Sequence, residues 1–197
     1  MTVPEALYGL VLAGGRSRRM GSDKAALQTD GETQLKRTVR LLNRHVDCVF
    51  VSTQADQSDD PVRSGFDQIV DAYDNLGPVS GILSAMDSDP AKSWLVLACD
   101  LPNIDDETIE FLIANADADC LATAYVSVVD GLPEPLCAIW RPGSRAIIEQ
   151  YVADGYRCPR KMLINSPTRL LEQPAPGALH NINTPGDLAG TGVEFVT

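Results

Sequence analysis

Histidine and basic charge are both scarce in this chain of 197 residues. The only histidines are His45 and His180, so a histidine-based catalytic triad or a zinc site has little support. Acidic residues outnumber basic ones by 27 to 16, and a net charge of -11 argues against the basic face that binds a nucleic-acid backbone. No apolar run approaches the roughly 20 residues that span a bilayer. We therefore expect neither nucleic acid nor a membrane as a partner.

The cysteine pattern gives no sign of disulfides or of a redox motif. The 5 cysteines are odd in number, and no two of them form a CxxC pair. Most lie in apolar, strand-like runs, where a free thiol behaves as a small hydrophobic group: Cys48, Cys99, Cys120 and Cys137. The first residues also lack the basic segment of a secretory signal. These observations predict inert buried thiols and a reducing compartment, the cytoplasm.

A glycine-rich loop with clustered cations stands out against the acidic background. The apolar strand Tyr8–Leu12 runs into Gly14 and Gly15, where the missing Cβ lets backbone N–H groups approach an anion closely. The cations that follow are Arg16, Arg18, Arg19 and Lys24. Both GxGxxG and GxxxxGK[ST] are absent, since Lys24 is followed by Ala25. The loop predicts a pyrophosphate site of another kind, with a solvated basic turn as the alternative.

Strand-like and helix-like segments alternate along the chain. The apolar runs are Tyr8–Leu12, Cys48–Thr53, Gln68–Val70, Ser93–Cys99, Cys120–Tyr125, Leu136–Trp140 and a further extended run Ala178–Asn183. Helical spacing covers Thr33–His45, Asp105–Asn115 and Gly143–Val152, and the polar stretch Gln54–Gly65 predicts a surface connection. This alternation predicts an α/β fold: a three-layer, doubly wound, mostly parallel sheet with helices on both faces. We expect a single domain over residues 1–190 and a C-terminal tail over residues 191–197.

A carboxylate ends the apolar strand that begins at Ser93. Asp100 would be costly to desolvate there unless a cation or hydrogen bonds compensate its charge. Mg²⁺ takes one or two protein carboxylates together with substrate phosphates and waters. The alternative role of a helix cap is better filled by Asp105. We therefore interpret Asp100 as a metal ligand.

Two further segments contain candidate binding residues. After Asp71, Gly77 and Pro78 form a turn into a helix, and Gly81 would let a flat base or ribose approach the backbone. On the residues alone, a plain Gly-Pro turn is the favoured interpretation of this segment. Near the C-terminus, the amides of Asn181 and Asn183 alternate with Ile182 and would point to one face, either to bind an acceptor or to brace the backbone. The cations Arg157, Arg160 and Lys161 fit a second anion site and a solvated helix end equally well.

Taken in this order, the segments resemble the molybdenum cofactor guanylyltransferase family, nucleotidyltransferases with a doubly wound fold. The matching stretches are Leu12-Ala-Gly-Gly-x-Ser-x-Arg-Met-Gly-x-Asp-Lys24, Gly77-Pro-x-x-Gly81, Cys99-Asp-x-Pro102 and Asn181-x-Asn-Thr-Pro-x-Asp-Leu188. The resemblance implies transfer of GMP from GTP to the terminal phosphate of molybdopterin, with Mg²⁺ bound and pyrophosphate released. Its implied protein partners are molybdenum-insertion proteins or chaperones of the target enzymes.

The resemblance also implies roles for individual residues. Catalytic roles would belong to Arg19, Lys24 and Asp100, with Asp100 holding the metal. The nucleotide would be held by Leu12, Ala13, Gly14, Gly15, Lys24, Asp71, Gly77, Pro78, Gly81 and Asp100. The acceptor would contact Asn181, Asn183, Arg160 and Lys161.

The residues at the motif positions favour GTP as the nucleotide but leave alternative functions open. Related cytidylyltransferases typically show Pro-Ala-Ala-Gly where this chain has Leu12-Ala-Gly-Gly, which favours GTP. The segment from Gly131 to Trp140 departs from the family's pattern, and Gly186 replaces its usual glutamate, so the acceptor is less well specified. The alternatives are a cytidylyltransferase of the same cofactor, a sugar-phosphate nucleotidyltransferase, and a non-catalytic nucleotide-binding regulatory protein.

Overall fold

Within residues 6–15, 23–181 and 193–194, which a computed structural model describes, the protein forms two β-sheets and five α-helices. The larger sheet contains β1 (Leu7–Leu12), β4 (Cys48–Thr53), β5 (Gln68–Val70), β6 (Ser93–Ala98), β7 (Ala122–Val126), β8 (Pro133–Trp140) and β9 (Thr168–Leu171). The smaller antiparallel sheet contains β2 (Gln28–Thr29), β3 (Glu32–Thr33) and β10 (Val193–Glu194). The helices are α1 (Gln34–Leu42), α2 (Pro78–Ser88), α3 (Asp106–Ala114), α4 (Ser144–Ala153) and α5 (Pro159–Ile164).

The seven strands of the larger sheet follow the order β5-β4-β1-β6-β8-β7-β9. Only β8 runs antiparallel to its neighbours, β6 and β7. From β1 the chain moves outward to β4 and β5 and then returns to β6 on the other side of β1. In such sheets, ligands bind at the carboxyl ends of the strands where this reversal occurs. The predicted α/β fold with a mostly parallel sheet is confirmed.

Apolar side chains cover both faces of the central strands. In β6, Leu95 and Leu97 pack into one cluster, which also contains Leu35 and Val39 of α1 and Ile109 and Leu112 of α3. Trp94 and Val96 point into a second cluster, together with Ile82 and Met86 of α2, Ile148 of α4 and Met162 of α5. Successive residues of a strand face opposite sides, so a strand buried on both faces is apolar throughout. This arrangement gives the three predicted layers.

The helix starts follow from local hydrogen bonds. Asp105 accepts from the backbone N–H of Thr108 at 2.9 Å and so caps α3, as predicted. Thr33 caps α1 in the same way through the N–H of Lys36. Helix α2 begins with Pro78 directly after Gly77, whose φ of 59° favours glycine. No helix within the described ranges has both the length and the apolar character needed to cross a membrane.

The structure corrects two expectations about local structure and adds one strand to the expected tail. Residues 178–179 lie in a turn rather than an extended run, because the N–H of Ala178 donates to the carbonyl of Ala175. Cys48 is exposed at the first position of β4, and Cys120 is only partly buried, so the expectation of buried thiols holds for Cys99 and Cys137 alone. Two residues of the expected tail form β10 and pair with β2, while the domain boundary at residue 190 stays a prediction.

Candidate active site

A cavity of about 390 Å³ opens at the carboxyl ends of β1, β4 and β6. Its wall contains every residue predicted to hold the nucleotide except Gly81. The wall also includes Ser52 and Gln54 at the end of β4, and Asp23 beside Lys24. Segments that are far apart in the sequence therefore meet at one edge of the sheet.

Lys24 and Asp100 form an ion pair in this cavity. The Nζ atom of Lys24 lies 2.8 Å from Oδ2 of Asp100, and each side chain is 17% exposed. The two residues are 76 positions apart, but the strands that precede them are neighbours, with Leu12 of β1 opposite Ala98 of β6. Partial burial strengthens their attraction and makes each charge costly to leave alone. The pair places a cation and a carboxylate side by side in the cavity wall.

Asp71 lies against the glycine loop on the other side of the cavity. Ser52 Oγ donates to its Oδ1 at 2.7 Å, and the Asp71 backbone N–H donates to the carbonyl of Thr53 at 2.8 Å. A Cβ on Gly14 would lie 3.3 Å from the backbone nitrogen of Gln54 and 3.4 Å from Asp71 Oδ2, so the loop packs closely against both residues. Burial raises the pKa of Asp71 to about 6, partly offset by the hydrogen bond from Ser52. A perturbed carboxyl in a cleft is typical of a functional site.

The raised pKa of Asp71 predicts a pH-dependent cost in stability. Because the pKa is higher in the folded state, that state binds more protons between about pH 4 and 6, and stability falls as pH rises through this range. We expect Asp71→Asn to raise the free energy of unfolding by about 1–2 kcal/mol at pH 7.5 and to leave it unchanged at pH 4. Urea unfolding of both proteins between pH 4 and 8 measures this difference. Equal unfolding free energies of the wild type and Asp71→Asn at every pH would contradict the prediction. The matched control is Asp74→Asn, which changes an exposed carboxyl in the following loop.

Gly81 has a packing role rather than a place in the cavity wall. A Cβ at this position would lie 2.3 Å from Ser52 Oγ and 2.8 Å from Leu12 Cδ2. Glycine is required because α2 packs closely against β4 and β1 here. The expectation that Gly81 leaves space for a base or ribose is therefore replaced by close packing of helix on sheet.

The turn before α2 is held against the helix by two serines. Ser80 Oγ donates to the carbonyl of Tyr73 at 2.6 Å, and Ser84 Oγ accepts from the N–H of Ala72 at 2.9 Å. These bonds fix the segment that follows Asp71 and bring Gly77 and Pro78 to the cavity wall. The segment is thus a Gly-Pro turn that also lines the cavity.

The donor set at the cavity fits a divalent cation that takes most of its ligands from elsewhere. The described residues include no cluster of three or more histidine, cysteine or acidic side chains that could hold a metal ion. Each carboxylate in the wall has a partner: Arg63 for Asp23, Ser52 for Asp71 and Lys24 for Asp100. Asp100 is the best placed ligand because, of these three, it is the one that also lines the adjoining cavity. A hard cation bound by one carboxylate, substrate phosphates and waters meets this description.

A second cavity of about 280 Å³ adjoins the first. Both cavities share Asp100 and Leu136 in their walls, and the second is also lined by Arg160 and Asn181. Two of the predicted acceptor residues therefore lie on one cavity. The hairpin between β7 and β8 supplies another part of the wall, which includes Ser127.

The remaining predicted acceptor and catalytic residues are placed differently. Lys161 lies outside the wall of either cavity, with its Nζ 5.1 Å from the ring centroid of Tyr156. Arg160 is held by carboxylates, 2.7 Å from Asp130 and 3.1 Å from Glu134. The predicted residues Arg19 and Asn183, like Arg16 and Arg18, lie outside the described residues.

Arg63 contacts residues of the cavity wall without lining the cavity, and no motif in the sequence marks it as a site residue. Arg63 stands in the polar stretch predicted to be a surface connection, but its side chain is fully buried. It donates to the carbonyl of Ala13 and to the carboxylate of Asp23. Only the fold brings that stretch behind the glycine loop, since a lone arginine in a polar segment is usually exposed.

Comparison with known proteins places the chain among nucleotide-transferring proteins. Residues 9–170 match the family model described as MobA-like NTP transferase domain. The chain is 37% identical over 181 residues to the molybdenum cofactor biosynthesis bifunctional protein of Synechocystis sp., covering 92% of this chain and 52% of that protein. It thus spans about half the length of that relative. It is 29% identical over 192 residues to a probable molybdenum cofactor guanylyltransferase of Trichormus variabilis, covering 96% and 92% of the two chains.

Solved structures share the fold at low sequence identity. The molybdopterin-guanine dinucleotide biosynthesis protein A from Archaeoglobus fulgidus superposes with a TM-score of 0.76 at 22% identity, over 93% of this chain and 96% of that one. The 2-C-methyl-D-erythritol 4-phosphate cytidylyltransferase from Thermus thermophilus superposes with a TM-score of 0.69 at 18% identity, over 95% and 97%. Proteins named for different substrates thus share this architecture, so the choice of substrate depends on the site.

Proposed function

The chain belongs to the MobA-like NTP transferase family, and from that premise we propose that it transfers GMP from GTP to the terminal phosphate of molybdopterin. The products would be the guanine dinucleotide form of the cofactor and pyrophosphate. The observation that carries this proposal is the position of Asp100 in a wall common to two adjoining cavities. A transfer reaction needs a donor and an acceptor that meet at one centre, and this wall is where they would meet.

The residues of the site suit direct in-line attack of the acceptor phosphate on the α-phosphate of GTP. This attack requires positioning and charge neutralisation, with no protein nucleophile. Cys99 is the thiol in the cavity wall, and burial raises its pKa to about 12, so it stays a neutral thiol at pH 7. We therefore propose a single displacement without a covalent enzyme intermediate.

We assign the two ends of the triphosphate to different groups. Backbone N–H groups at Gly14 and Gly15 would bind phosphate oxygens, and Lys24 would neutralise charge on the leaving pyrophosphate. Asp71 would contact the nucleoside side, with Gly77 and Pro78 beside it. Arg19 stays part of the proposed catalytic set from its place in the sequence motif.

The metal in this proposal is Mg²⁺, with Asp100 as its protein ligand. When bound, Mg²⁺ would neutralise phosphate charge and orient the triphosphate. The Lys24–Asp100 ion pair holds the carboxylate at the wall of the cavity. Lys24 would move from Asp100 to the phosphates as the nucleotide enters.

Fewer described residues support the proposed binding site for the acceptor. Arg160 and Asn181 line the second cavity, and Arg160 would exchange Asp130 or Glu134 for the acceptor phosphate. Asn183 would join Asn181 on the same face, as their alternation predicts. We propose the cytoplasm as the location, and molybdenum-insertion proteins or chaperones of target enzymes as protein partners, with no role for nucleic acid.

Pyrophosphate release tests the proposed reaction directly. The purified protein is assayed with Mg²⁺ and each of GTP, CTP, ATP and UTP, with and without molybdopterin. We expect release only with GTP and molybdopterin together. Release with CTP would favour a cytidylyltransferase, and release with a sugar phosphate in place of molybdopterin would favour that class. Silence with every nucleotide would favour a regulatory nucleotide-binding protein.

A further inference from the structure

Arg63 is a fully buried arginine whose hydrogen bonds lie behind the glycine loop. A guanidinium in this position is costly unless its donors are paired. Its Nε and Nη2 donate to the carbonyl of Ala13 at 3.2 and 2.7 Å. Nη2 also donates to Asp23 Oδ1 at 3.0 Å, and Nη1 lies 2.6 Å from Asp23 Oδ2. A third partner, Asp60, is 3.4 Å from Nη1.

These contacts join the two chain segments that flank the glycine loop. Ala13 follows β1 directly and precedes Gly14, while Asp23 stands immediately before Lys24. Arg63 is 50 residues from Ala13 and 40 residues from Asp23 in the sequence. A single side chain therefore bridges the start of the loop and its end.

Asp23 links Arg63 to the turn that begins at Lys24. Besides pairing with Arg63, its Oδ1 accepts from the N–H of Ala25 at 3.0 Å and caps the short 3₁₀ turn Lys24–Ala26. The Nζ of Lys24 at the start of that turn reaches Asp100. Arg63 itself does not line the cavity. Among the described residues, Ala13, Asp23 and the turn that follows connect Arg63 to the cavity.

We propose that Arg63 is a positioning residue that holds the end of β1 and the Lys24 turn at the separation required to bind one phosphate chain. The fork of a guanidinium reaches a carbonyl and a carboxylate at once, which the single ammonium of lysine does not. For the nature of the ligand, a nucleoside triphosphate, this inference rests on the proposed function. The arrangement of Arg63, Ala13 and Asp23 is independent of which base is bound.

Two substitutions with a matched control test the effect on the nucleotide. Arg63→Lys keeps the charge but loses the fork, and Asp23→Asn keeps the cap of Ala25 but loses the ion pair. We expect each to lower kcat/KM for GTP by about 10- to 100-fold, the effect of a small misplacement at the site. Asp60→Asn removes a carboxylate from the same guanidinium but leaves both loop contacts intact, and it should change kcat/KM less than twofold. Equal losses in all three proteins would overturn the proposal.

A double-mutant cycle separates positioning from a purely structural role. If Asp23 and Arg63 act through Lys24, then Asp23→Asn should cost little further activity in a protein that already carries Lys24→Ala. The residual pyrophosphate release of the single and double variants measures this coupling. Additive losses would mean that Asp23 does not act through Lys24, and they would overturn this part of the inference.

Amide hydrogen exchange tests the same contacts without any nucleotide. We expect the Ala25 amide to exchange at least about tenfold faster in Arg63→Lys, while amides of β6 keep their protection. Unchanged exchange at Ala25 would overturn the positioning role. Silence of the wild-type protein in the pyrophosphate assay would defeat the proposed function instead, and the Ala25 measurement would still decide the role of Arg63.

Discussion

Replacing Asp100 with asparagine should lower the rate of nucleotidyl transfer by about 100-fold or more, the scale of one lost transition-state contact. Asp100 lies at the end of β6 in the wall common to both cavities, where it is the proposed ligand of Mg²⁺. Asparagine has the same shape but no charge, so it would bind a hard cation weakly. The loss should appear in kcat, and the Mg²⁺ concentration needed for half-maximal rate should rise.

The measurement is pyrophosphate release at saturating GTP and molybdopterin over a range of Mg²⁺ concentrations. Asp106→Asn is the matched control, because that carboxylate pairs with Arg44 and His45 on the surface, away from both cavities. It should keep nearly all activity. Thermal unfolding of Asp100→Asn checks that the loss does not come from a weakened Lys24 contact. Wild-type turnover in Asp100→Asn would remove the metal role from the mechanism.

Lys24→Ala should also lower transfer by about 100-fold, through the departing pyrophosphate. Lys24 is the described cation in the wall of the larger cavity, and it is held at the start of a capped 3₁₀ turn. Without its ammonium, the charge that develops on the leaving group is neutralised less well. GTP binding should weaken as well, because phosphate contacts exist before the reaction as well as during it.

Titration calorimetry with GTP and Mg²⁺, together with the pyrophosphate assay, separates these two effects. Lys36→Ala, an exposed lysine on α1, is the control and should behave as the wild type. Lys24→Arg keeps the positive charge in a larger group and should retain more activity than Lys24→Ala. A Lys24→Ala protein with unchanged kcat and GTP affinity would show that the phosphate cradle depends on other cations.

Much of the central sheet could be predicted from the sequence because its strands are buried on both faces. Strands β4 and β5 have the predicted bounds, and β1 and β6 differ from prediction by one residue. Such strands are continuous apolar runs, which is a strong local signal. Helix α3 was equally clear, since Asp105 and the acidic first turn mark its start.

Several strands were missed or only partly predicted because their sequences are ambiguous. Strand β9 has exposed residues at its centre, and β2 and β3 are two residues long, so no periodic pattern marks them. Strand β8 starts at Pro133 and contains Pro135, which weakened the prediction for its first half. Its antiparallel direction depends on the connection from β7 and is invisible in a local pattern.

Within the candidate site, glycines were harder to interpret than charges. Gly14 and Gly77 line the cavity, where their predicted role in binding the nucleotide stays a prediction, but Gly81 is needed for the contact of α2 with Ser52. A glycine permits close approach without indicating what approaches, whether ligand, helix or strand. A cation is ambiguous in the same way: Lys161 was predicted to contact the acceptor, but it lies over Tyr156 and away from the second cavity.

The sequence by itself determined the chemistry of this protein: a glycine loop with cations, a carboxylate at a buried strand end, and an order of motifs that resembles one family. Only the tertiary structure decided which groups meet. Lys24 pairs with Asp100 across 76 residues because β1 and β6 are neighbours in the sheet, and Arg63 supports the loop from a segment that looks like surface. Residue type sets what a side chain can do, whereas strand order and register set its partners, and these depend on contacts distant in sequence.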